Sequence, residues 1–143
     1  MKVQLAVALL LSAVGAGCGS SSTSPPPVVT TQTPAAASVT ETFSGTLAVG
    51  GSRFYSFSVA QYGTVTVTLT QLTGSFDPAT TTVILGLGRP AGTGCGVATT
   101  VATASGDTPQ STSTLEAGVY CVRISDTDVL TAPAAFAIDI AHP

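Results

Sequence analysis

The sequence predicts an all-β protein, an antiparallel β-sandwich or jelly roll of about seven or eight short strands. Three observations lead to this fold class. Apolar and polar residues alternate at period two, residues typical of turns separate the alternating segments, and no segment repeats apolar residues at helical spacing. The predicted domain covers residues 39–143, and an up-and-down barrel is the alternative architecture.

Five segments alternate clearly, with large apolar residues at every second position and mostly small polar residues between them. In chain order they are SRFYSFSV (52–59), GTVTVTLT (63–70), TTVILGLG (81–88), GVYCVRIS (118–125) and FAIDI (136–140). The predicted inward residues are Tyr55, Phe57, Val59, Val65, Val67, Leu69, Val83, Leu85, Leu87, Tyr120, Val122, Ile124, Phe136, Ile138 and Ile140. Connections at 49–52, 73–78 and 105–109 contain the Gly, Asp, Pro and Ser residues that turns require.

The N-terminus resembles a bacterial lipoprotein signal. A short positive start is followed by an apolar run over 3–14, the small residues 15–17 and then Cys18. The run is too short for a transmembrane helix, which needs about 20 apolar residues. We therefore expect residues 1–17 to be a signal peptide and Cys18 to be the lipidated residue. Ordinary secretory cleavage is the alternative, because Gly15 stands where the lipoprotein family usually has Leu.

The cysteine count favours lipidation. The chain has three cysteines, and acylation of Cys18 leaves an even pair in an exported protein. Several acyl chains together give a lasting membrane anchor. Gly19 lacks the acidic side chain that is associated with inner-membrane retention in this family, so we expect the outer membrane, on its periplasmic or surface face.

The segment from Cys18 to Ser38 is predicted to be a linker. After Cys18 it reads GSSSTSPPPVVTTQTPAAAS, with no charged or aromatic residue and with a triplet at Pro25–Pro27. Such a composition buries too little apolar surface to fold and favours an extended spacer.

Composition argues against nucleic acid as a partner. Charged residues make up 8% of the chain, whose formal net charge is −3. Nucleic-acid binding depends on Lys and Arg that neutralise phosphates. The membrane, through the lipid anchor, and an envelope polysaccharide or protein are the expected partners.

The domain resembles the bacterial pre-peptidase C-terminal domain, a small jelly-roll-like β-sandwich often appended to secreted peptidases. The segments FSGTLAVGGSRFYSFSV, YGTVTVTLT, LEAGVYCVRIS and FAIDI carry the resemblance, through hydrophobic spacing and glycine placement. Many members have an acidic DxD-type strand after the TVTLT strand, where this chain has the neutral run Thr82–Gly88. The resemblance therefore implies the fold without a calcium site of the family. The chain is also similar to stand-alone exported lipoproteins that share Cys95, Cys121 and the terminal His142 and Pro143.

Cys95 and Cys121 are expected to form a disulfide, because they are the two thiols left in an oxidising compartment. Strand parity places Cys121 on the face opposite Tyr120 and Val122, so the bridge is expected on an outer face or edge. Zinc binding is the alternative, but a structural zinc ion needs four ligands and the chain has one histidine.

No catalytic residues are predicted, and we expect the protein not to be an enzyme. His142 is the one imidazole, no GxSxG motif is present, and the seven carboxylates form no cluster in the sequence. Residues after a last strand tend to fray. We therefore expect His142 to be part of a solvated tail whose replacement leaves the fold unchanged.

Two weaker site hypotheses remain. Asp126 and Asp128, with Asp107 as a third acid, are candidate calcium ligands, although calcium takes about six to eight oxygens and Asp side chains in turns commonly accept backbone N–H groups instead. The threonine row of GTVTVTLT is typical of an exposed strand face. It is a candidate sugar-binding surface if Phe54 and Tyr62 lie beside it.

Together these observations predict a membrane-anchored exported lipoprotein with a non-catalytic binding or interaction module of unknown ligand. A calcium-dependent carbohydrate-binding module and a structural component of the cell envelope are the alternatives. No cofactor is expected, apart from the calcium hypothesis, which predicts that added calcium raises the melting temperature.

Cys18→Ser is expected to release the protein from the membrane fraction without unfolding the domain, because the linker separates the anchor from the domain. Fractionation after a salt wash, followed by thermal melting of the released protein, measures both effects. A variant that stays with the membranes would contradict the lipoprotein hypothesis.

Overall fold

Eight antiparallel strands form the described part of the chain, residues 30–143, in a computed structural model. They are β1 (Val39–Leu47), β2 (Ser52–Val59), β3 (Gly63–Thr73), β4 (Val83–Ala91), β5 (Gly94–Thr103), β6 (Ser111–Leu115), β7 (Gly118–Ser125) and β8 (Ala134–His142). The predicted all-β fold class is confirmed. Within residues 30–143, no helix is long and apolar enough to cross a membrane.

The strands form two four-stranded sheets. Sheet A has the order β1-β8-β3-β6, and sheet B has the order β2-β7-β4-β5. The end strands β1 and β2 lie at one lateral edge of the sandwich, and the end strands β5 and β6 lie at the other. We call these two edges the β1–β2 seam and the β5–β6 seam.

The core lies between the sheets and consists of the residues that strand parity predicted. Of the fifteen predicted inward residues, fourteen are buried and Tyr55 is half-buried. Leu47, Leu72, Leu130 and Ala134 complete the buried cluster. Each fully buried Val, Leu, Ile or Phe side chain contributes about 1.5–3 kcal/mol to folding.

A bulge in β3 explains why Leu72 faces the core. The pairing of β3 with β8 shifts between Leu69 and Gln71, so Thr70 and Gln71 both face outward. After one extra residue the alternation resumes with the opposite parity. The period-two pattern of 63–70 therefore could not be extended to the end of the strand.

The residues just before β1 are held against the domain more firmly than the sequence suggests. Ala35 N–H donates to the Tyr62 carbonyl at 3.0 Å, and Thr64 N–H donates to the Ala35 carbonyl at 2.9 Å. A Cβ atom at Gly63 would lie 2.4 Å from the Ala35 carbonyl oxygen, so this contact requires glycine. The last residues of the predicted linker, 35–38, are thus bound to the domain. The signal peptide and Cys18 lie outside the described residues.

The expectation that His142 is a solvated tail residue is wrong. His142 is the last residue of β8, pairs with Val39 of β1, and is 4% exposed. Its carbonyl accepts from Ser38 N–H at 3.0 Å, and the Pro143 carbonyl accepts from Ala60 N–H at 3.2 Å. Because β8 lies between β1 and β3, its end is held from both sides and does not fray.

The disulfide between Cys95 and Cys121 joins β5 to β7 across β4. Strands two positions apart in a sheet are about 10 Å from each other, whereas the two Cα atoms are 5.8 Å apart. The end of the β4–β5 hairpin therefore bends over the outer face of sheet B. Gly88 allows this bend, since a Cβ atom there would lie 2.0 Å from the Gly96 carbonyl oxygen.

The bridge lies on the outer face, as strand parity predicted, but it is partly covered. Cys121 pairs with Gly88 and is fully buried, and Cys95 is half-buried. The hairpin itself covers the bridge. Since both sulfurs are in the disulfide, neither is a thiolate ligand, and the zinc alternative for this pair does not apply.

Reduction of the disulfide is expected to lower the melting temperature by about 10 °C or more, since closing a loop of this length contributes about 3 kcal/mol. Calorimetry with and without a reductant measures the shift, and Cys95→Ala combined with Cys121→Ala should reproduce it. Titration of the unreduced, denatured domain should find no free thiol. Two titratable thiols would contradict the pairing.

Candidate functional site

The β1–β2 seam is closed by a stacked and hydrogen-bonded cluster. Phe43 of β1 stacks on Tyr55 of β2 with ring centroids 5.4 Å apart, and it contacts Phe136 edge-on at 5.0 Å. Glu41 accepts a short hydrogen bond from the Tyr55 hydroxyl on Oε2. Its Oε1 lies 3.0 Å from Nε2 of His142. These side chains fill the space between the end strands.

The polar groups of this cluster form hydrogen bonds with one another. The hydrogen bond from Tyr55 is the main cause that lowers the pKa of Glu41, with His142 adding to it against the opposing effect of burial. The same hydrogen bond raises the pKa of Tyr55. Glu41 is therefore held ionised and Tyr55 protonated. This arrangement stabilises the seam.

His142 is placed for packing. Its ring lies 5.4 Å from the ring of Phe57, and its Nδ1 is 3.3 Å from the Pro143 carbonyl oxygen. Both ring nitrogens thus have protein partners, since Glu41 occupies the other. The imidazole is therefore enclosed by the protein.

The β5–β6 seam is open and contains a cleft of about 480 Å³. Its apolar floor is formed by Leu87 of β4, Leu115 of β6 and Tyr120 of β7. The remaining lining residues are Gly88, Arg89, Gly96, Ala98, Thr99, Ser113, Thr114 and Glu116. Most of the cleft wall that sheet B contributes belongs to the β4–β5 hairpin, whose bend is held by the disulfide. The disulfide therefore helps to fix the shape of the cleft.

Arg89 is the prominent polar group of the cleft. Its guanidinium carbon lies 4.4 Å from the centre of the Tyr120 ring, and its Nη2 donates to the Tyr120 hydroxyl at 2.8 Å. That hydroxyl donates in turn to the Glu116 carbonyl at 3.1 Å. The stack and the hydrogen bond hold the guanidinium in one place. An arginine fixed in this way loses little conformational freedom when it binds an anion.

The seam continues beyond the main cleft as a smaller recess of about 40 Å³. Leu87 and Thr99 line both, and the recess extends along β5 to Val101 and to Ser111 of β6. The two depressions form one groove between the end strands. The groove begins near Arg89 and Glu116 and becomes smaller towards Val101 of β5 and Ser111 of β6.

Asp126 is a buried structural carboxylate. Its Oδ2 accepts from Gly50 N–H at 2.8 Å, and its Oδ1 accepts from Val129 and Leu130 N–H at 3.0 and 3.1 Å. Burial raises its pKa, but these donors together with Thr127 N–H outweigh burial and lower it. Asp126 thus ties the β7–β8 loop to the β1–β2 turn, as the backbone-capping alternative for this residue describes.

The other two candidate calcium ligands do not join Asp126 in a metal-binding cluster. Asp128 lies in the same β7–β8 loop as Asp126, and its Oδ1 lies beside Gly50 of the β1–β2 turn. Asp107 lies in the β5–β6 connection. Among residues 30–143, no group of three or more His, Cys, Asp or Glu side chains is arranged to hold a metal ion. To bind calcium, the oxygens of Asp126 would have to give up three hydrogen bonds from backbone N–H groups.

The threonine row of β3 belongs to a wider threonine face on the outside of sheet A. Register places outward threonines of three strands together: Thr40, Thr42 and Thr46 of β1, Thr64, Thr66 and Thr68 of β3, and Thr112 and Thr114 of β6. Thr42 donates to Asp139 of β8 at 2.7 Å. Phe54 is exposed but lies on the outer face of sheet B. The aromatic platform hypothesised for the threonine row is therefore not formed by Phe54.

The cleft was not predicted from the sequence. Leu87 and Tyr120 were predicted as core residues, and Arg89, Leu115 and Glu116 were not singled out. One signal was present, since Arg89 is among the few basic residues and follows the inward parity of Leu85 and Leu87. A cation at an inward position indicates that the strand has reached the end or the edge of the core.

Comparison with known proteins adds no identification. No protein-family model matches this chain, and no curated protein matches its sequence. The resemblances to the pre-peptidase C-terminal domain and to exported lipoproteins therefore remain predictions from the sequence.

His142→Ala is expected to destabilise the domain by about 2–3 kcal/mol, because it empties a buried ring position beside Phe57 and leaves Glu41 with one partner fewer. Chemical denaturation at pH 7 measures the loss. Asp139→Ala, at an outward position of the same strand, is the matched control and should change stability much less.

The same seam predicts a pH dependence. The pKa of Glu41 is lowered in the folded state, so its contribution to stability is present above its ordinary value of 4.5 and is lost as the pH falls through the lower folded value. Glu41→Gln should flatten that part of the curve of stability against pH.

For the His142→Ala prediction, a variant as stable as the parent would instead support a frayed C-terminus.

Proposed function

We propose that this protein is an exported lipoprotein whose β-sandwich is a non-catalytic module that binds a ligand in the cleft of the β5–β6 seam. The observation that carries the proposal is the difference between the two seams. One is filled by Phe43, Tyr55, Glu41 and His142, and the other leaves about 480 Å³ open above an apolar floor. A protein under selection for stability alone would gain by filling both.

The cleft has the size and chemistry of a binding site. Ligand sites usually enclose about 300–1,000 Å³ and combine apolar walls with a few placed polar groups. Here Leu87, Leu115 and Tyr120 supply the apolar surface, and Arg89 supplies a fixed cation. The hydroxyl groups of Thr99 and Ser113 add hydrogen-bonding capacity.

The lining residues support binding without catalysis. The hydroxyls of Thr99 and Ser113 have no imidazole beside them, because His142 lies at the opposite seam and is paired with Glu41. Glu116 is the one carboxylate among the residues that line the cleft. A hydroxyl nucleophile without a neighbouring base is weak at neutral pH.

The proposed address is the outer membrane of a bacterium, with the lipid on Cys18. The neutral linker after Cys18 would act as a spacer between the anchor and the domain. An envelope polysaccharide or protein is the expected class of partner, and the scarcity of Lys and Arg argues against nucleic acid.

Ala98→Trp tests the cleft directly. Ala98 is exposed and lines the cleft, so a large side chain there should fill the space with little effect on folding. Ala102→Trp is the matched control, because Ala102 is an exposed alanine of the same strand that does not line the cleft.

The readout is a set of amide chemical shifts recorded with named probes: soluble peptidoglycan fragments, envelope oligosaccharides and mixed peptides. We expect at least one probe to shift the resonances of Leu87, Leu115 and Tyr120, and we expect Ala98→Trp, but not Ala102→Trp, to abolish the effect. Shifts confined to the threonine face or to Phe54, or no shift with any probe, would reject the cleft as the binding site.

A further inference from the structure

Strand β5 is an end strand with little protection against pairing. Its ten residues, GCGVATTVAT, include no charged residue and no proline. Exposed edges usually carry charges, prolines or bulges that prevent another strand from adding to them. By comparison, the end strands β1 and β2 contain Glu41 and Arg53, and β6 has only five residues.

The one irregularity of β5 divides it into two parts. The pairing of β4 with β5 shifts where Leu87 pairs with Thr99 and Gly88 pairs with Val97, which leaves Ala98 as the extra residue. From Thr99 to Thr103 the pairing is regular. Every second residue of a regular end strand directs its N–H and C=O away from the sheet. A continuous pairing surface therefore runs along Thr99–Thr103 and stops at Ala98.

This pairing surface leads to the cleft. The groove follows β5 from Val101 back through Thr99 and Ala98, and it becomes larger over Leu87 and Leu115. A strand added antiparallel to β5 would run in the same direction, from Thr103 towards Ala98. Its last side chain facing the groove would lie over the apolar floor.

Arg89 pairs with Gly96, beyond Ala98 in the direction of the added strand, and it lines the cleft there. Its guanidinium is held on the Tyr120 ring with one donor on the Tyr120 hydroxyl, and among residues 30–143 no carboxylate forms an ion pair with it. Arginine presents five N–H donors. The remaining donors suit a carboxylate, which arginine can bind with two parallel hydrogen bonds.

We propose that the ligand of the cleft is the C-terminal end of an extended polypeptide. The peptide adds to sheet B as a strand antiparallel to Thr99–Thr103, places an apolar side chain over Leu87 and Leu115, and binds Arg89 with its terminal carboxylate. This inference rests on the proposed function of the cleft. A polypeptide end is the partner that brings backbone donors and acceptors, an apolar side chain and an anion together.

Glu116 provides a test of the sign of the ligand's charge. It is exposed and lines the same end of the cleft as Arg89. Its carboxylate weakens the attraction of an anion, so Glu116→Gln should tighten the binding of a peptide carboxylate about two-fold or more at low salt. The same substitution would weaken the binding of a cationic ligand.

The experiment uses two synthetic libraries of octapeptides whose last residue is Val, Ile, Leu or Phe, one with free C-terminal carboxylates and one with carboxamides. Fluorescence anisotropy measures binding to the mature domain. The carboxylates should bind at least about ten-fold more tightly than the carboxamides, and Arg89→Gln should remove that preference. Arg123→Gln, which removes an arginine from the outer face of the same sheet, is the matched control and should leave it unchanged.

Backbone methylation tests the strand pairing. In antiparallel pairing only alternate N–H groups of the peptide face β5. Methylation of one alternate set of peptide nitrogens should abolish binding, and methylation of the other set should be tolerated. Equal tolerance of both sets would overturn the proposed pairing.

The remaining outcomes separate this inference from the proposed function. Equal binding of carboxylates and carboxamides, or an Arg89→Gln variant that keeps the preference, overturns carboxylate capture. If no peptide binds while an oligosaccharide or peptidoglycan fragment still shifts Leu87 and Leu115 in the parent and not in Ala98→Trp, the cleft is a binding site and the peptide inference is wrong. If sedimentation shows a dimer that Ala98→Trp dissociates, the groove takes a second copy of the chain and the inference is also wrong. If no probe acts on the cleft, both fail.

Discussion

The two seams of the sandwich are the constraint on which the rest of this structure depends. Two stacked sheets bury their inner faces against each other, but the space between their end strands has to be filled, covered or left open. The β1–β2 seam is filled by an aromatic stack and a carboxylate with two partners. The β5–β6 seam is bounded by the β4–β5 hairpin, whose bend is held by the disulfide, and a cleft remains there. Stabilising side-chain contacts therefore fill the β1–β2 seam, whereas the β5–β6 seam leaves surface that a ligand can contact.

Two of the few charged side chains of the protein form hydrogen bonds with nearby groups of the domain. Asp126 binds two loops through backbone N–H groups, and Glu41 accepts hydrogen bonds within the closed seam. Among the described residues, every buried side-chain nitrogen or oxygen has a hydrogen-bond partner. A carboxylate that accepts hydrogen bonds from more than one donor is stable as an ion, which explains why both groups have a lowered pKa. Arg89 differs because its guanidinium is fixed and yet exposed.

This difference connects the architecture to the proposed function. A binding site benefits from polar groups that are already oriented, because less conformational entropy is lost when the ligand binds. The Tyr120 ring orients Arg89, and the disulfide holds the hairpin that carries it. In the proposed lipoprotein, the spacer would present this cleft, with its polar groups already oriented, to partners in the envelope.

The sequence by itself determined the strands with strong alternation, the facing of their side chains and the pairing of Cys95 with Cys121. These depend on local spacing, on β-propensity and on the number of thiols, all of which can be counted in one dimension. Strand β5 escaped individual prediction because its inward residues are Thr99, Val101 and Thr103 and its alternation is broken at Ala98. Tertiary structure alone decided the burial of His142, since that follows from the position of β8 between two other strands. It also decided the cleft, because Leu115 and Arg89 come from different sheets and meet only where the order of the strands places β5 beside β6.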